Sequence, residues 1–274
     1  MSSSTLFAAS VVWRRQAGSM LVLDPPIEML PEGAPGPRRF KIKAADVESR
    51  RGLVAALLKS RYLWRGYQTN SLAPDQAASQ RFTLAAIDNR QTIGTITVTF
   101  DGVDKLSADE AFADEVQALR AKGRRLSEFT QLAIDPTVGT KRVLAALFHV
   151  AYIVAHRMRG FDTLLMEVNP RHVRYYESML GCRVLGGVRV KRSVNAPAVL
   201  LTVDFEHIMA QIGRLGGRPD LAADERSLYP FAFSLTEEAG IMARLRARYE
   251  TWLEEHDSTS RSTVEFAPSD LASL

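Results

Sequence analysis

Basic side chains occur in three short clusters, and clustered guanidinium and ammonium groups can bind phosphates or acidic protein surfaces. The clusters are Arg120, Lys122, Arg124 and Arg125; Lys141 and Arg142; and Arg189, Lys191 and Arg192. The formal net charge of +4 is too small to indicate a nucleic-acid-binding protein. We therefore expect no nucleic-acid partner, and the clusters indicate either an anion site or a solvated basic face.

Residues that bind metals or form disulfides are scarce. Cys182 is the only cysteine, so a disulfide within the chain is impossible, and no zinc-ligand spacing surrounds it. His149 and His156 do not have metal-ligand spacing as a pair, so we assign them no metal. The apolar stretch from Leu6 to Trp13 is too short to cross a bilayer and predicts no secretory signal. We expect a cytoplasmic protein without a metal.

The elements that must position the chemistry begin after a proline-rich segment. We predict an irregular lead-in over residues 1–39, because prolines and glycines crowd Asp24–Arg39. Apolar residues then recur at helical spacing between residues 44 and 65. Residues 82–87 and 95–100 predict two strands of a hairpin, the second from its alternating threonines.

Helices and strands alternate through the next part of the chain. Ser107 and Glu110 have the spacing of a capping box and predict a helix that stops at Gly123. Further elements are predicted as strand 129–134, helix 140–159, strand 161–168, a helix from Asn169 to Gly181, and strands 182–187 and 197–205. This order predicts a mixed α/β sheet that is not doubly wound, followed by a helical extension over residues 206–256 and a polar tail over 257–274.

Three passages resemble those of a known superfamily. They are SRYLWRGY at residues 60–67, RRLSEFTQLAIDP at 124–136 and EVNPRHVRYYESMLGC at 167–182. Residues 40–205 resemble the GCN5-related N-acyltransferases, and among them the N-acyl amino acid synthases of the long-chain N-acyltyrosine type. The acyl-homoserine-lactone synthases are relatives of that group. The resemblance implies an N-acyltransferase domain over residues 40–205.

The resemblance also implies where the thioester lies. In this superfamily two parallel strands splay apart, and the pantetheine arm of the acyl donor occupies the V between them. Here those strands are 129–134 and 161–168, with Leu132 and Ile134 beside the pantetheine. The start of the following helix faces the pantetheine phosphate, because free N–H groups at a helix N-terminus bind anions. The implied residues are Gly139, Thr140, Lys141 and Arg142.

The residues at the start of the predicted helix 140–159 favour a carrier-protein thioester over a coenzyme A thioester as acyl donor. Acetyl-CoA enzymes of the superfamily usually carry a glycine-rich Gln/Arg-x-x-Gly-x-Gly/Ala loop there, whereas this chain has TVGTKRV at residues 137–143. A carrier-protein thioester has a single phosphate and an acidic surface that basic side chains attract. We therefore expect acyl carrier protein as partner, its phosphopantetheine thioester as co-substrate and no tightly bound cofactor, with acyl-CoA as the alternative donor.

Two residues are candidates for proton transfer. The resemblance implies that Glu128 accepts the amine proton, and the alternative is a surface carboxylate at a strand entrance. It also implies that Tyr176 protonates the departing thiolate, and the alternative is that Tyr176 packs in the core beside Tyr175.

Acceptor binding departs from the family pattern. The family often has Ser-Arg after the glutamate, where this chain has Thr130 and Gln131, so another arginine must bind the acceptor carboxylate. Candidates for the acceptor and acyl sites are Arg61, Trp64, Arg81, Gln131, Arg171 and His172.

Four functions follow in order. The first is transfer of a long-chain fatty acyl group from acyl carrier protein to the α-amine of an amino acid, with membrane association only through the product or acyl chain. The second is an acyl-CoA- or acetyl-CoA-dependent N-acetyltransferase of a small amine. The third is an inactive carrier-binding module, which the Thr130 and Gln131 departure leaves open. A lactone synthase is last, because Asp75 alone represents the acidic pair expected after the first helix.

Overall fold

One mixed sheet organises the part of the chain that the computed structural model describes, namely residues 8–9, 21–23, 38–44, 52–59, 81–102, 105–135 and 140–247. Its strands are β1 (Ala8–Ala9), β2 (Leu21–Leu23), β3 (Arg38–Ala44), β4 (Arg81–Asp88), β5 (Gln91–Phe100), β6 (Leu126–Ile134), β7 (Thr163–Val168), β8 (Arg183–Lys191) and β9 (Ala196–Asp204). The order is β1-β3-β4-β5-β6-β7-β9-β8, with β2 paired to β3. Only β6 and β7 pair in parallel among these strands, and the predicted mixed α/β class is confirmed.

Helices cover both faces of the sheet. The first face carries α1 (residues 52–59) and α2 (Asp109–Ala121); the second carries α3 (Lys141–Tyr152), α4 (Val173–Leu180), α5 (Phe205–Leu215) and α6 (residues 235–247). On the first face, Val54 and Leu58 of α1 pack against Ala85 and Ala133. The larger core lies on the second face, where α3 is buried along nearly its whole length. The described residues include no helix with the length and hydropathy needed to cross a membrane.

Local capping interactions set the ends of two helices. The Asn169 side chain accepts a hydrogen bond from Arg171 N–H, Pro170 follows it, and the helix ends at Gly181 with φ of +73°. At the start of α6, the Ser234 hydroxyl and the Glu237 carboxylate exchange bonds with each other's backbone N–H groups. The predicted cap at Asn169 is therefore confirmed, and Ser234 with Glu237 forms a capping box at the start of α6.

The predicted capping box at Ser107 is wrong. Helix α2 starts at Asp109 after Ala108, with no side-chain cap. The Ser107 hydroxyl instead accepts a bond from the Lys191 ammonium, and the Glu110 carboxylate accepts bonds from Ser193. Both side chains are thus bound by residues of the distant β8–β9 hairpin, so tertiary contacts override the local signal.

Several boundaries also differ from prediction. Strand β6 begins at Leu126, three residues before the predicted Phe129, because its first residues pair with β7. Strand β8 continues to Lys191 through its pairing with β9. The long helix changes after Tyr152 into a π-helical turn, Ile153–Met158. Strands β1 and β2 lie within the predicted lead-in, whereas the predicted end of the first helix and the polar tail lie outside the described residues.

Candidate active site

The parallel strands β6 and β7 separate in the middle of the sheet. Their paired residues are Leu126 with Thr163, Ser127 with Leu164 and Glu128 with Leu165, and the pairing goes no further. Strand β6 nevertheless continues to Ile134 and β7 to Val168. The strands therefore diverge beyond Glu128, as the predicted splay requires. Within the described residues, no strand pairs with the edges that face each other across the gap.

A bulge in β6 accompanies the splay. Thr97 of β5 pairs with Thr130 and Thr95 pairs with Ala133, so β6 has one extra residue in this interval. Gln131 takes a φ of +49°, which is uncommon outside glycine. Its side-chain Oε1 accepts a hydrogen bond of 2.9 Å from the Thr97 hydroxyl. This side-chain bond holds the bulge against β5 at the mouth of the V.

The gap between the diverging strands is a cleft of about 650 Å³, including the part open to solvent. Residues of β6, β7, α3, α4 and the turn between β7 and α4 line it: Phe129, Thr130, Gln131, Leu132, Phe148, Met166, Glu167, Val168, Asn169, His172 and Tyr176, together with Ile96 of β5. The Tyr176 ring meets the Phe148 ring edge-on at a centroid distance of 6.4 Å. Tyr175 is exposed, so Tyr176 is the member of the tyrosine pair that borders the cleft. Four of the predicted site residues, Gln131, Leu132, His172 and Tyr176, thus meet at this cleft.

Glu128 lies under the cleft and is fully buried. Ser107 N–H donates a 2.7 Å hydrogen bond to its Oε2 atom. Burial, followed by the negative charge of Glu167, raises the pKa of Glu128 to about 8, despite the opposing charge of Lys191. A carboxyl group in this environment retains its proton more readily than one in water.

Glu167 and Lys191 join Glu128 in the same buried group. Glu167 was not among the predicted site residues, and Lys191 was named only as a member of a basic cluster. Glu167 borders the cleft and forms an ion pair with the Lys191 ammonium, which also donates to the carbonyl oxygen and hydroxyl of Ser107. Glu167 stands two residues after Leu165, the residue that pairs with Glu128, so both carboxyl groups lie on the same face. Strand alternation would have placed Glu167 there, but the contribution of Lys191 depends on the edge strand β8.

The predicted carboxylate-binding arginines occupy different positions. Arg81 is exposed at the start of β4 and pairs with Thr99, which in turn pairs with Glu128, so Arg81 shares the face of Glu128. Arg171 is exposed, and its Nε–H donates to His172 Nε2 at 3.2 Å. The other predicted residues, Arg61, Trp64 and Gly139, lie outside the described residues.

The start of α3 faces the open end of β6. The Thr140 hydroxyl accepts a 3.4 Å bond from Val143 N–H, which makes Thr140 the N-cap. Lys141 is exposed, whereas the Arg142 guanidinium lies 5.8 Å from the centre of the Phe231 ring. Ile134 packs against the large core at the end of β6. The N-terminus of α3 thus offers backbone donors and one exposed cation.

An apolar cavity lies beside the cleft, with a volume of about 350 Å³ that includes the part open to solvent. Phe129 and Phe148 line both spaces, so these two rings form the boundary between them. The remaining wall comes from α3, from the last residue of α4 and from residues that follow β9: Ala145, His149, Tyr152, Leu180, Ile208, Ile212, Leu228, Tyr229 and Ala232. Polar space for the reacting groups therefore adjoins apolar space that could receive a hydrocarbon chain.

Within the described residues, no three histidine, cysteine, aspartate or glutamate side chains are grouped to hold a metal ion. The site chemistry that these residues offer is proton transfer and hydrogen bonding. Splayed parallel strands, a bulge at the splay and a helix N-terminus beyond it characterise the GCN5-related N-acyltransferase fold. The chain is an N-acyltransferase of this class.

The family within that class is also determined. The profile of the N-acyl amino acid synthase FeeM family matches residues 54–204, more than half of the chain, and the chain belongs to this family. The structure of FeeM, an N-acyl amino acid synthase from uncultured soil microbes, is 25% identical with a TM-score of 0.57, and the match covers 62% of this chain and 93% of FeeM.

Two further solved structures match at lower similarity. The acyl-homoserine-lactone synthase LasI is 11% identical over 61% of this chain and 91% of its own, with a TM-score of 0.43. An acyl-CoA N-acyltransferase from Pseudomonas aeruginosa is 14% identical over 60% of this chain and 97% of its own, with a TM-score of 0.41. No curated protein sequence matches the chain.

Proposed function

We propose that the chain transfers a long-chain fatty acyl group from acyl carrier protein to the α-amine of an amino acid, giving an N-acyl amino acid. The observation that carries this proposal is the apolar cavity next to the cleft, with Phe129 and Phe148 lining both spaces. An acetyl group would leave such a cavity empty, whereas a longer chain would gain about 0.8 kcal/mol for each methylene group that it buries.

The donor side suits a carrier protein with a single pantetheine phosphate. In the proposed complex, the diverging backbone of β6 pairs with the pantetheine amides, and the phosphate lies at the N-terminus of α3 near Lys141. Arg171 and Arg174 are exposed on the elements that follow β7. These cations would attract the acidic surface of a carrier protein without adding a second phosphate site.

The acceptor would approach from the face of the sheet that carries Glu128 and Glu167. On that face, a carboxyl group would remove a proton from the amine. Arg81 lies on the same face and would bind the acceptor carboxylate. Tyr176, which borders the cleft, would protonate the leaving thiolate.

The test compares donors that differ only in their carrier. The purified chain would receive dodecanoyl or hexadecanoyl groups on acyl carrier protein or on coenzyme A, together with a mixture of amino acids, and mass spectrometry would identify N-acyl products. We expect N-acyl amino acids and a higher kcat/KM with the carrier-protein donor. Equal or better use of acyl-CoA would refute the donor assignment, and absence of any N-acyl product with a folded protein would refute the proposed function.

A cavity variant tests the acyl site in the same assay. Ala145 lines the cavity, and replacing it by leucine would fill part of the space. Each methylene group excluded from the cavity should lower kcat/KM about fourfold, so Ala145→Leu should disfavour long chains relative to short ones. Ala145→Val is the smaller step and should give an intermediate preference. An unchanged chain-length preference in both variants would show that the acyl chain lies elsewhere.

A further inference from the structure

Three ionisable side chains, Glu128, Glu167 and Lys191, are buried together where β6 and β7 separate. Glu128 has no exposed surface, and the side chains of Glu167 and Lys191 are 8% and 10% exposed. Ser107 closes the group from the loop before α2: its N–H binds Glu128, and its hydroxyl binds Lys191 at 2.5 Å. Carboxyl groups buried this completely require hydrogen-bond partners or a proton.

Within the described residues, each of the two carboxyl groups has one oxygen atom with a hydrogen-bond donor and one without. Ionised carboxylates only accept hydrogen bonds. The Oε2 atoms accept from Ser107 N–H in Glu128 and from the Lys191 ammonium in Glu167. The Oε1 atoms of both residues are buried and receive no donor from the described residues. One proton held by the pair would supply the missing donor. It would also leave one negative charge opposite the single positive charge of Lys191.

The other charged groups around the pair already have partners. On α2, Asp109 binds Arg120, and Glu110 binds Ser193 while its charge also acts on Lys191. Across the cleft, the elements after β7 contribute His172 and Tyr176. Lys191 is therefore the cation that faces the two carboxyl groups directly.

We infer that Glu167 is the catalytic residue that accepts the proton of the attacking amine, and that Glu128 is a positioning residue that shares a proton with it. This inference rests on the proposed function. Glu167 borders the cleft, whereas Glu128 lies beneath it and does not line it. The ion pair with Lys191 holds one oxygen of the Glu167 carboxylate at the border of the cleft, and a proton on Glu128 would bind the other.

The reaction balances with these groups. The lone pair of the neutral amine forms the C–N bond with the thioester carbonyl carbon, and the proton leaving nitrogen moves to Glu167. The C–S bond then breaks, and the thiolate takes a proton from Tyr176 or from water. Solvent removes the proton from Glu167 and restores that of Tyr176. The products are an amide and a free pantetheine thiol, with Glu128 still protonated.

Conservative substitutions distinguish the two carboxyl groups. Glu167→Gln should lower kcat by about 10² to 10⁴-fold, the usual contribution of a general base, with little change in KM. Glu128→Gln should keep kcat within about tenfold, because a glutamine amide donates as the protonated acid does, whereas Glu128→Leu cannot donate and should lose much more. The opposite ranking, with Glu128→Gln inactive and Glu167→Gln active, would overturn the inference.

A folding control and an activity-independent measurement complete the test. Glu167→Gln/Lys191→Gln leaves no buried charge unpaired and should fold yet remain inactive, whereas Glu206→Gln on the exposed start of α5 should behave as wild type. Infrared spectroscopy of the free protein near neutral pH should detect a protonated carboxyl band that Glu128→Gln removes. Absence of that band would overturn the shared proton, whether or not the wild type is active. A wild type that forms no N-acyl amino acid would refute the proposed function and leave the infrared result to decide the shared proton.

Discussion

A buried histidine links α3 to the C-terminal segment that closes the apolar cavity. His149 Nδ1 accepts a 3.0 Å hydrogen bond from Phe233 N–H, so its Nε2 carries the proton and donates to Glu238 Oε2 at 3.2 Å. The other Glu238 oxygen pairs with Arg157 at 3.0 Å. His149 itself is 2% exposed and lines the cavity. One side chain thus holds the start of α6 and shapes the proposed acyl site.

His149→Ala should destabilise the protein more than most substitutions. It removes both bonds and leaves the Phe233 N–H and one Glu238 oxygen buried without their partner. Each orphaned buried group costs about 1–3 kcal/mol, and some relief by water gives an expected loss of roughly 3 kcal/mol. With an m-value of about 2 kcal/mol/M, the urea midpoint should fall by roughly 1.5 M.

The matched control is the exposed His207→Ala, which should change the free energy of unfolding by less than about 1 kcal/mol. Loosening residues 228–238 should also weaken selection for acyl length, because Leu228, Tyr229 and Ala232 wall the cavity. A His149→Ala protein with the wild-type urea midpoint would refute the argument that this link stabilises the C-terminal segment.

The same link predicts how stability changes with pH. Burial lowers the pKa of His149 below its ordinary value of 6.5, although the hydrogen bond to Glu238 acts in the opposite direction. The unfolded chain therefore binds the histidine proton first as pH falls. The stability from neutral His149 should be fully present above pH 6.5 and decrease as pH falls below it. Urea titrations from pH 7.5 to 5 should show this slope in the wild type and a smaller one in His149→Gln.

Two further predictions concern single side chains. The Tyr152 hydroxyl is buried and has no hydrogen-bond partner among the described residues, whereas that of Tyr229 donates to the Leu180 carbonyl at 2.7 Å. Tyr152→Phe should therefore leave the urea midpoint unchanged or raise it, and Tyr229→Phe should cost about 1–2 kcal/mol; the reverse order would contradict this account. Gln131→Val should cost at least about 1 kcal/mol more than Gln131→Gly, since a β-branched residue rarely adopts a φ of +49°. Equal unfolding midpoints for these two variants would show that the bulge imposes no such constraint.

Sequence patterns predicted the elements whose signals are local. The cap at Asn169 and the stop at Gly181 lie within one helix and bracket it correctly, because both depend on neighbouring backbone groups. The alternating threonines of β5 likewise predicted a strand. The capping box at Ser107 failed, although its spacing was as good as that at Ser234. The difference is that Lys191 and Ser193, which lie far along the chain, bind the side chains of Ser107 and Glu110.

The candidate site was less predictable for the same reason. The resemblance supplied Glu128 and Tyr176, but only the structure shows that Tyr176 borders the cleft while Glu128 lies beneath it. Lys191 reaches the pair from the edge strand, and no spacing rule relates it to Glu128. The bulge at Gln131 was also missed, because its backbone conformation follows from the register with β5 rather than from residue type.

The proposed proton-transfer group and part of the cavity wall lie in different parts of the chain. The family profile ends at residue 204, and Glu128, Glu167, Lys191 and Tyr176 all lie within it. The cavity wall, in contrast, includes Ile208, Ile212, Leu228, Tyr229 and Ala232, which all follow that limit. In the proposed reaction, substitutions in the first set should change the rate of acyl transfer for every donor, because every donor needs the same proton transfers. Substitutions in the second set should change which donors are used, because only their acyl chains meet that wall.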